Sequence, residues 1–284
     1  VLETAYEYLR LKVQIDKLSR EETAEQSLAL LKMRSALASG SPLTAPALPA
    51  VRDDQAHQTS RYSFRAGQAD NFNFVELGWR PAFHTLTDPF EGFPTGAQIK
   101  FLDTTLRAWE KDAEDSVELE RLDLINVTAL ARYDRFFQPW SWQANVGARR
   151  QQAPEENGER PLVGHFDLSG GINFNLFDSL SSYALLGGAS SFLLPDHAGI
   201  HGGPSAEIGL FGHYAPEWMR YSGQWQLSAK QIDWRGEDEA SQKILEFTHE
   251  FNLTRNFTVQ LNAHREFRFE RWSNEASIGF SVFQ

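Results

Sequence analysis

The sequence contains no cysteine, which removes disulfides, thiolate catalysis and cysteine-based metal sites together. It also lacks any run near the roughly 18 apolar residues that a membrane helix requires, so a helical membrane protein is excluded. Positive charge is in short supply: 27 Lys and Arg stand against 38 Asp and Glu, a net charge of -11. Phosphate backbones attract the opposite sign, so nucleic acid is not expected as a partner. No P-loop, no dinucleotide-binding glycine fingerprint after a strand and no His-Glu-x-x-His occurs, so neither a cofactor nor a metal is expected. The mean hydropathy of -0.44 resembles that of a soluble protein. That inference fails, however, for a chain in which only alternate residues meet an apolar medium.

What is present is a period of two. In residues 164–177, Phe166, Leu168, Gly170, Ile172, Phe174 and Leu176 fall on one side, and His165, Asp167, Ser169, Gly171, Asn173 and Asn175 on the other. A strand with one greasy and one wet face is half-buried. The pattern recurs: Trp140, Trp142, Ala144, Val146 and Ala148 oppose Ser141, Gln143, Asn145, Gly147 and Arg149, and Phe257, Val259, Leu261 and Ala263 oppose Thr258, Gln260, Asn262 and His264. It is also clear from Met219 to Lys230 and from Ala276 to Val282. A dozen strands are predicted, over 58–68, 71–84, 97–111, 115–128, 136–151, 162–177, 181–194, 205–215, 217–232, 241–252, 255–268 and 273–283. Alternating strands also suit a soluble sandwich. The aromatics favour a membrane: Trp140, Trp142, Tyr214, Trp218, Tyr221 and Trp272 lie near strand ends, where interfacial girdles sit.

The expected fold is therefore all-β with an N-terminal helical segment, the strands forming a closed antiparallel transmembrane β-barrel of about 12 strands, polar inside and apolar outside. Residues 1–38, rich in Leu, Ala, Glu, Lys and Arg, are expected as the helical tail of a periplasmic domain, residues 39–57 as a linker, and residues 58–284 as the barrel. Polar connections near 153–160, 195–204 and 235–241 alternate with short turns near 177–181 and 252–256, as if one rim were tight and the other elaborated. The chain opens on Val1 and carries no signal peptide, which reads as a mature or trimmed segment of a longer protein. Phe280 and Val282 keep the spacing of a barrel-assembly signal, but Phe283 is one place out of phase and Gln284 follows.

The stretch Arg80-Pro-Ala-Phe-His-Thr-Leu-Thr-Asp-Pro-Phe-Glu-Gly-Phe-Pro-Thr-Gly-Ala-Gln-Ile-Lys-Phe-Leu-Asp103 resembles a signature of the family of domain of unknown function 4105, related to the lipoprotein N-acyltransferase Lnb. Leu119-Glu-Arg-Leu-Asp-Leu124 and Asp134-Arg-Phe-Phe-Gln-Pro-Trp-Ser-Trp142 extend the resemblance, which covers residues 75 to 180. It implies a C-terminal barrel in the outer membrane of a Gram-negative bacterium, preceded by a periplasmic domain. It also implies that a papain-like Cys/His machinery lies in that domain, since this cysteine-free chain has no counterpart. The implied partners are outer-membrane lipid, the periplasmic domain of the same protein and the barrel assembly machinery.

Two sets of residues are candidates for binding. Arg80, His84 and Asp88, four apart and flanked by Pro81 and Pro89, place a guanidinium, an imidazole and a carboxylate at the rim, suited to a phosphate or lipid headgroup. The alternative is a fixed loop in which Arg80 and Asp88 cap backbone groups. The inward polar residues, among them His165, Asp167, Glu246 and His264, together with Gln143, Asn145, Arg149, Glu250 and Gln260, either fill a narrow lumen with hydrogen bonds or line a substrate path. Glu246 and Glu250 with Asp167 and His165 could ligate a metal only if distant strands are neighbours. The catalytic residues are unknown. No His-x-Ser pair of the barrel lipases occurs, which leaves a cross-strand Ser277 with His264 or His249 as the route to a self-contained lipid hydrolase. A passive outer-membrane channel is the other alternative to a barrel that anchors or supports a periplasmic acyl-transfer domain.

Overall fold

In the computed structural model the described residues are 1–15, 17–37, 51–110, 117–151, 160–193, 199–215, 221–235 and 241–284. The chain divides into two compact units, Val1–Leu48 and Pro49–Gln284. The first is a helical hairpin of α1 (Leu2–Gln14) and α2 (Arg20–Ala36). The break falls where Ser19 caps α2: its Oγ accepts from the Glu22 amide at 3.1 Å, and Glu22 Oε2 accepts from the Ser19 amide at 2.9 Å. Arg34 pairs with Glu3 at 2.9 Å, fastening the end of one helix to the start of the other. No helix among the described residues is long and apolar enough to cross a membrane.

The second unit is one antiparallel sheet of β1 (Arg61–Ala69), β2 (Phe72–Arg80), β3 (Ala82–His84), β4 (Ala97–Trp109), β5 (Val117–Ala129), β6 (Ser141–Arg150), β7 (Leu162–Phe177), β8 (Leu180–Leu193), β9 (His201–Tyr214), β10 (Ser222–Asp233), β11 (Ser241–Thr254), β12 (Phe257–Arg268) and β13 (Arg271–Phe283). Every segment from β4 onward pairs with its successor, β1 pairs with both β2 and β13, and β2 closes the ring by pairing with β4. β2 and β3 act as one strand, interrupted at Pro81, which has no N–H to give to the ladder. Opposite the interruption Leu102 of β4 takes φ 51°, and the register continues unshifted from Trp79↔Thr104 to Ala82↔Phe101. Twelve staves thus form a closed barrel with no free edge.

The alternation sorts the side chains as the sequence predicts. Phe166, Leu168, Ile172, Phe174 and Leu176 point outward and are exposed, while His165, Asp167 and Asn173 are buried inside. Trp140, Trp142, Tyr221 and Trp272 are exposed near strand ends; Trp218 and Met219 lie outside the described residues. The start of β6 differs from expectation. Residues 136–140 are a turn, in which Asp134 Oδ1 accepts from the Phe136 and Phe137 amides and Gln138 takes φ 45° ahead of Pro139.

Two further expectations need correction. Residues 51–57 are part of the barrel unit and not a linker, since Ala56 and His57 are buried and Gln55 O accepts from Arg255 at 2.7 Å. Residues 39–50, the rest of the expected linker, lie outside the described residues, as do residue 38, most of 153–160 and parts of 195–204 and 235–241. Nor is one rim tight and the other elaborated. The rim where β1 begins and β13 ends, here the terminal rim, carries the long 85–96 and 130–140 connections and the two-residue turns after β7 and β11. The distal rim mixes tight turns after β1 and β12 with longer connections after β4, β6, β8 and β10.

Leu168 lies midway along β7 on the lipid-facing side. Leu168→Arg is expected to cost about 2–4 kcal/mol, the depth-dependent penalty for a cation at the bilayer midplane. Denaturant titration of folding into lipid vesicles would measure it.

Candidate functional site

The signature segment does not decorate the rim; it crosses the mouth of the barrel. After β3 the chain turns inward through Thr85-Leu-Thr-Asp88, a turn closed by its own carboxylate: Asp88 Oδ2 accepts from the Thr85 amide at 2.8 Å, and the Asp88 amide donates to Thr85 O at 3.2 Å. Thr85, Thr87 and Asp88 are buried. Asp88 Oδ1 accepts from Arg61 of β1 at 3.0 Å and Oδ2 from Arg80 of β2 at 2.6 Å. Thr87 donates to Glu250 of β11 at 3.3 Å, and Glu250 also accepts from Thr258 of β12 and pairs with Arg61. On the far side, Leu86 packs against a cluster of Leu130, Tyr183, Leu185 and Phe211, and Phe90 stacks on His213 of β9 at 4.2 Å. In a ring of twelve staves β9 stands opposite β2, so residues 85–90 span the lumen from wall to wall.

The three predicted rim residues are therefore brought together, but as a buried hub. Arg80 and Asp88 are almost wholly enclosed, and Asp88 does cap a backbone amide, whereas Arg80 binds the carboxylate and not a backbone group. A headgroup site open to solvent is not what they form. The sequence reading missed His57, whose segment resembled a linker. Its Nδ1 lies 2.5 Å from Gln58 O and its Nε2 lies 3.0 Å from His84 Nδ1. A carbonyl only accepts, so His57 Nδ1 carries the proton and Nε2 accepts from His84. Phe93 and Phe283 pack on these rings, which explains why Phe283 is out of phase with the expected assembly signal: it points inward and seals the latch. Burial depresses the His57 pKa, opposed by Asp88 and the Gln58 carbonyl and reinforced by the Arg80 and Arg61 charges.

His57, His84 and Asp88 bring three potential ligand atoms within 4.8 Å of one another. Both Asp88 oxygens are already taken by Arg61, Arg80 and the Thr85 amide, and two guanidiniums beside the cluster oppose a cation. The donor set fits a hydrogen-bonded latch better than a metal centre.

The lumen candidates are dispersed. His165 and Asp167 of β7 line a polar cavity of about 250 Å³, as does Glu246 of β11 across the barrel. Asp167 pairs with Lys230 at 3.5 Å, and His264 lies between Glu246 at 3.2 Å and Glu266 at 3.5 Å. β7 and β11 are not neighbours, and Glu250 belongs to Arg61, so the four-residue metal set is not assembled. The hydrolase pairing fails also. Ser277 sits opposite Asn262 in the register and makes no hydrogen bond to His264, while His249 points out of the barrel, where Tyr214 meets it at 3.2 Å. At the distal end Arg107 joins Glu76, Glu120 and Glu275 and lies over Phe74, adding a second buried ion network.

A closed ring of twelve antiparallel strands, apolar without and densely charged within, defines a transmembrane β-barrel of the outer-membrane type. Residues 50–283 match the family described as Domain of unknown function (DUF7840), and the chain belongs to that family. Residues 1–46 match a separate family, Domain of unknown function (DUF7842). No curated protein matches the chain. Among solved structures it is similar to the NanC porin (10% identity, 78% of this chain and 100% of that one, TM-score 0.41). It is similar also to the KdgM porin (9%, 79% and 99%, 0.39) and to the beta domain of the Bordetella autotransporter Brka (11%, 79% and 98%, 0.39).

Asp88→Asn leaves Arg80 buried without the only carboxylate paired with it among the described residues and is expected to destabilise the barrel by about 3–5 kcal/mol, measured as a denaturant midpoint shift. The latch is also expected to weaken in acid. Because the folded His57 pKa is depressed, its stabilisation is complete above its ordinary value of 6.5 and is lost as pH falls through the depressed value. His57→Gln should shrink the difference in heat-modifiable gel mobility between neutral and acidic pH; an unchanged difference would place the acid response elsewhere.

Proposed function

We propose that this chain is a plugged outer-membrane barrel of a Gram-negative bacterium that anchors or supports a periplasmic catalytic domain of the same protein. That domain acts on envelope lipids or lipoproteins by acyl transfer. The observation that carries the anchoring part is the segment at residues 85–90, fastened to β1, β2 and β11 on one side and packed on β8 and β9 on the other. A passive channel needs a continuous aqueous lumen, and this segment stands across it. The acyl-transfer part rests on the resemblance of residues 75 to 180 to the Lnb-related family. The separate family match over residues 1–46 is consistent with a second module N-terminal to the barrel. In this scheme the terminal rim faces the periplasm, the exposed aromatics contact outer-membrane lipid at the interface, and assembly machinery closes the ring.

In planar bilayers the intact chain is expected to show no steady conductance, whereas replacing residues 85–96 with a short Gly/Ser connection should open one. Steady conductance by the intact chain would make the barrel a channel. For the catalytic part, deleting the gene for the whole protein is expected to change the acylation of envelope lipoproteins or lipids measured by mass spectrometry. The purified chain alone should release no fatty acid from phospholipid vesicles. An unchanged acyl profile would remove acyl transfer from the proposal and leave the anchor.

A further inference from the structure

One cation of the lumen wall has no ion pair among the described residues. Arg149 on β6 lies directly opposite Arg121 on β5, and both line the cavity. Like charges facing each other across a ladder are destabilising. Arg121 is compensated by Asp103 and Asp123, each at 3.5 Å. Arg149 has no ion pair among the described residues, and its Nη2 is buried without a hydrogen-bond partner. The nearby carboxylates are committed elsewhere: Asp123 is shared by Arg121 and Lys100, Asp167 faces Lys230, and Glu246 and Glu266 hold His264 between them.

Beside Arg149 stands His165, 2% exposed, with both ring nitrogens unpartnered. The residue across the ladder from His165 is Gly147, where even a Cβ would meet the Leu122 carbonyl oxygen of β5 at 2.2 Å, so that position of β6 offers His165 no side-chain partner. A guanidinium Nη2 and both nitrogens of an imidazole, without hydrogen-bond partners among the described residues, thus border one cavity from adjacent strands.

We propose that this part of the lumen binds a phosphate-class oxyanion, with Arg149 as its principal ligand and His165, on the neighbouring strand, as a supporting donor. A tetrahedral oxyanion accepts from a planar guanidinium fork with two oxygens and keeps others for neutral donors. It would relieve the Arg121–Arg149 repulsion and the orphaned donors together. The same chemistry is offered by free phosphate and by the phosphate ester of a lipid headgroup.

The test titrates inorganic phosphate, and separately glycerol phosphate, into the detergent-solubilised full chain in chloride buffer of constant ionic strength, followed by phosphorus NMR. Saturable binding of at least one is expected. Binding of glycerol phosphate alone would identify the source as a headgroup-like ester, and binding of inorganic phosphate as the free ion. Arg149→Gln is expected to weaken binding by roughly tenfold or more, the loss of one charge-assisted contact, and Arg149→Lys by less. Arg10→Gln in α1 should bind as the parent does. Retention of heat-modifiable mobility shows that each variant is folded. Failure of the folded parent to bind either anion, or undiminished binding by folded Arg149→Gln, would overturn the proposal.

Discussion

Everything in this structure depends on closing the hydrogen-bond ladder. In hydrocarbon no water is available for an unpaired N–H or C=O, so a sheet survives only if its first and last staves meet. Here the β1–β13 pairing holds residues separated by more than 200 positions, and the β2–β4 pairing bridges the point where Pro81 cannot contribute. Once the ring is closed, alternation decides the rest. Each residue is committed either to lipid or to the lumen, and a shift of one place would exchange the two.

A narrow lumen then creates its own difficulty. Side chains from twelve walls converge in a space of limited polarity, and ionised groups there must be paired or pay heavily in lost hydration. The barrel meets this with ion networks, among them one around Asp88 and Glu250 near the terminal rim, one of Lys100 and Arg121 with Asp103 and Asp123, and one around Arg107 near the distal rim. The Asp88 network does more than neutralise charge. It binds a connection, not a strand, and so turns a loop that could have stood in solvent into a cross-brace of the barrel. Arg149 stands out against this background because it forms no ion pair among the described residues.

Much of the fold was legible because a period of two is a local property. The span predicted for 162–177 coincides with β7, and Phe166 and His165 fall on the faces assigned to them. The departures occurred where sequence pattern carries no depth information. Arg80, His84 and Asp88 were recognised as a set, but four-residue spacing cannot show whether a loop folds out from the rim or into the lumen. His57 was missed because a short polar stretch after a Pro- and Ala-rich segment looks like a linker. Its burial depends on Phe93 and Phe283, which are distant in sequence. The one local hint was Phe283 itself, an aromatic at an inward position of the last strand. The proposed Ser277 pairings failed for a related reason: adjacency of strands is not adjacency of side chains, and His249 belongs to the opposite face.

The position of Arg61 and Phe283 has a consequence for biogenesis. Arg61 begins the first strand and Phe283 ends the last, and the two hold the cross-brace between them, the arginine through Asp88 and the phenylalanine through His57. The seal on the mouth is therefore assembled from the two seams of the sheet. A barrel caught with its seam unzipped would lack both halves of the fastening, and its mouth would stand open for as long as insertion was unfinished. On the proposed reading of a plugged barrel, impermeability is acquired in the same event as closure, so the membrane is protected by the completed molecule and by no earlier form of it.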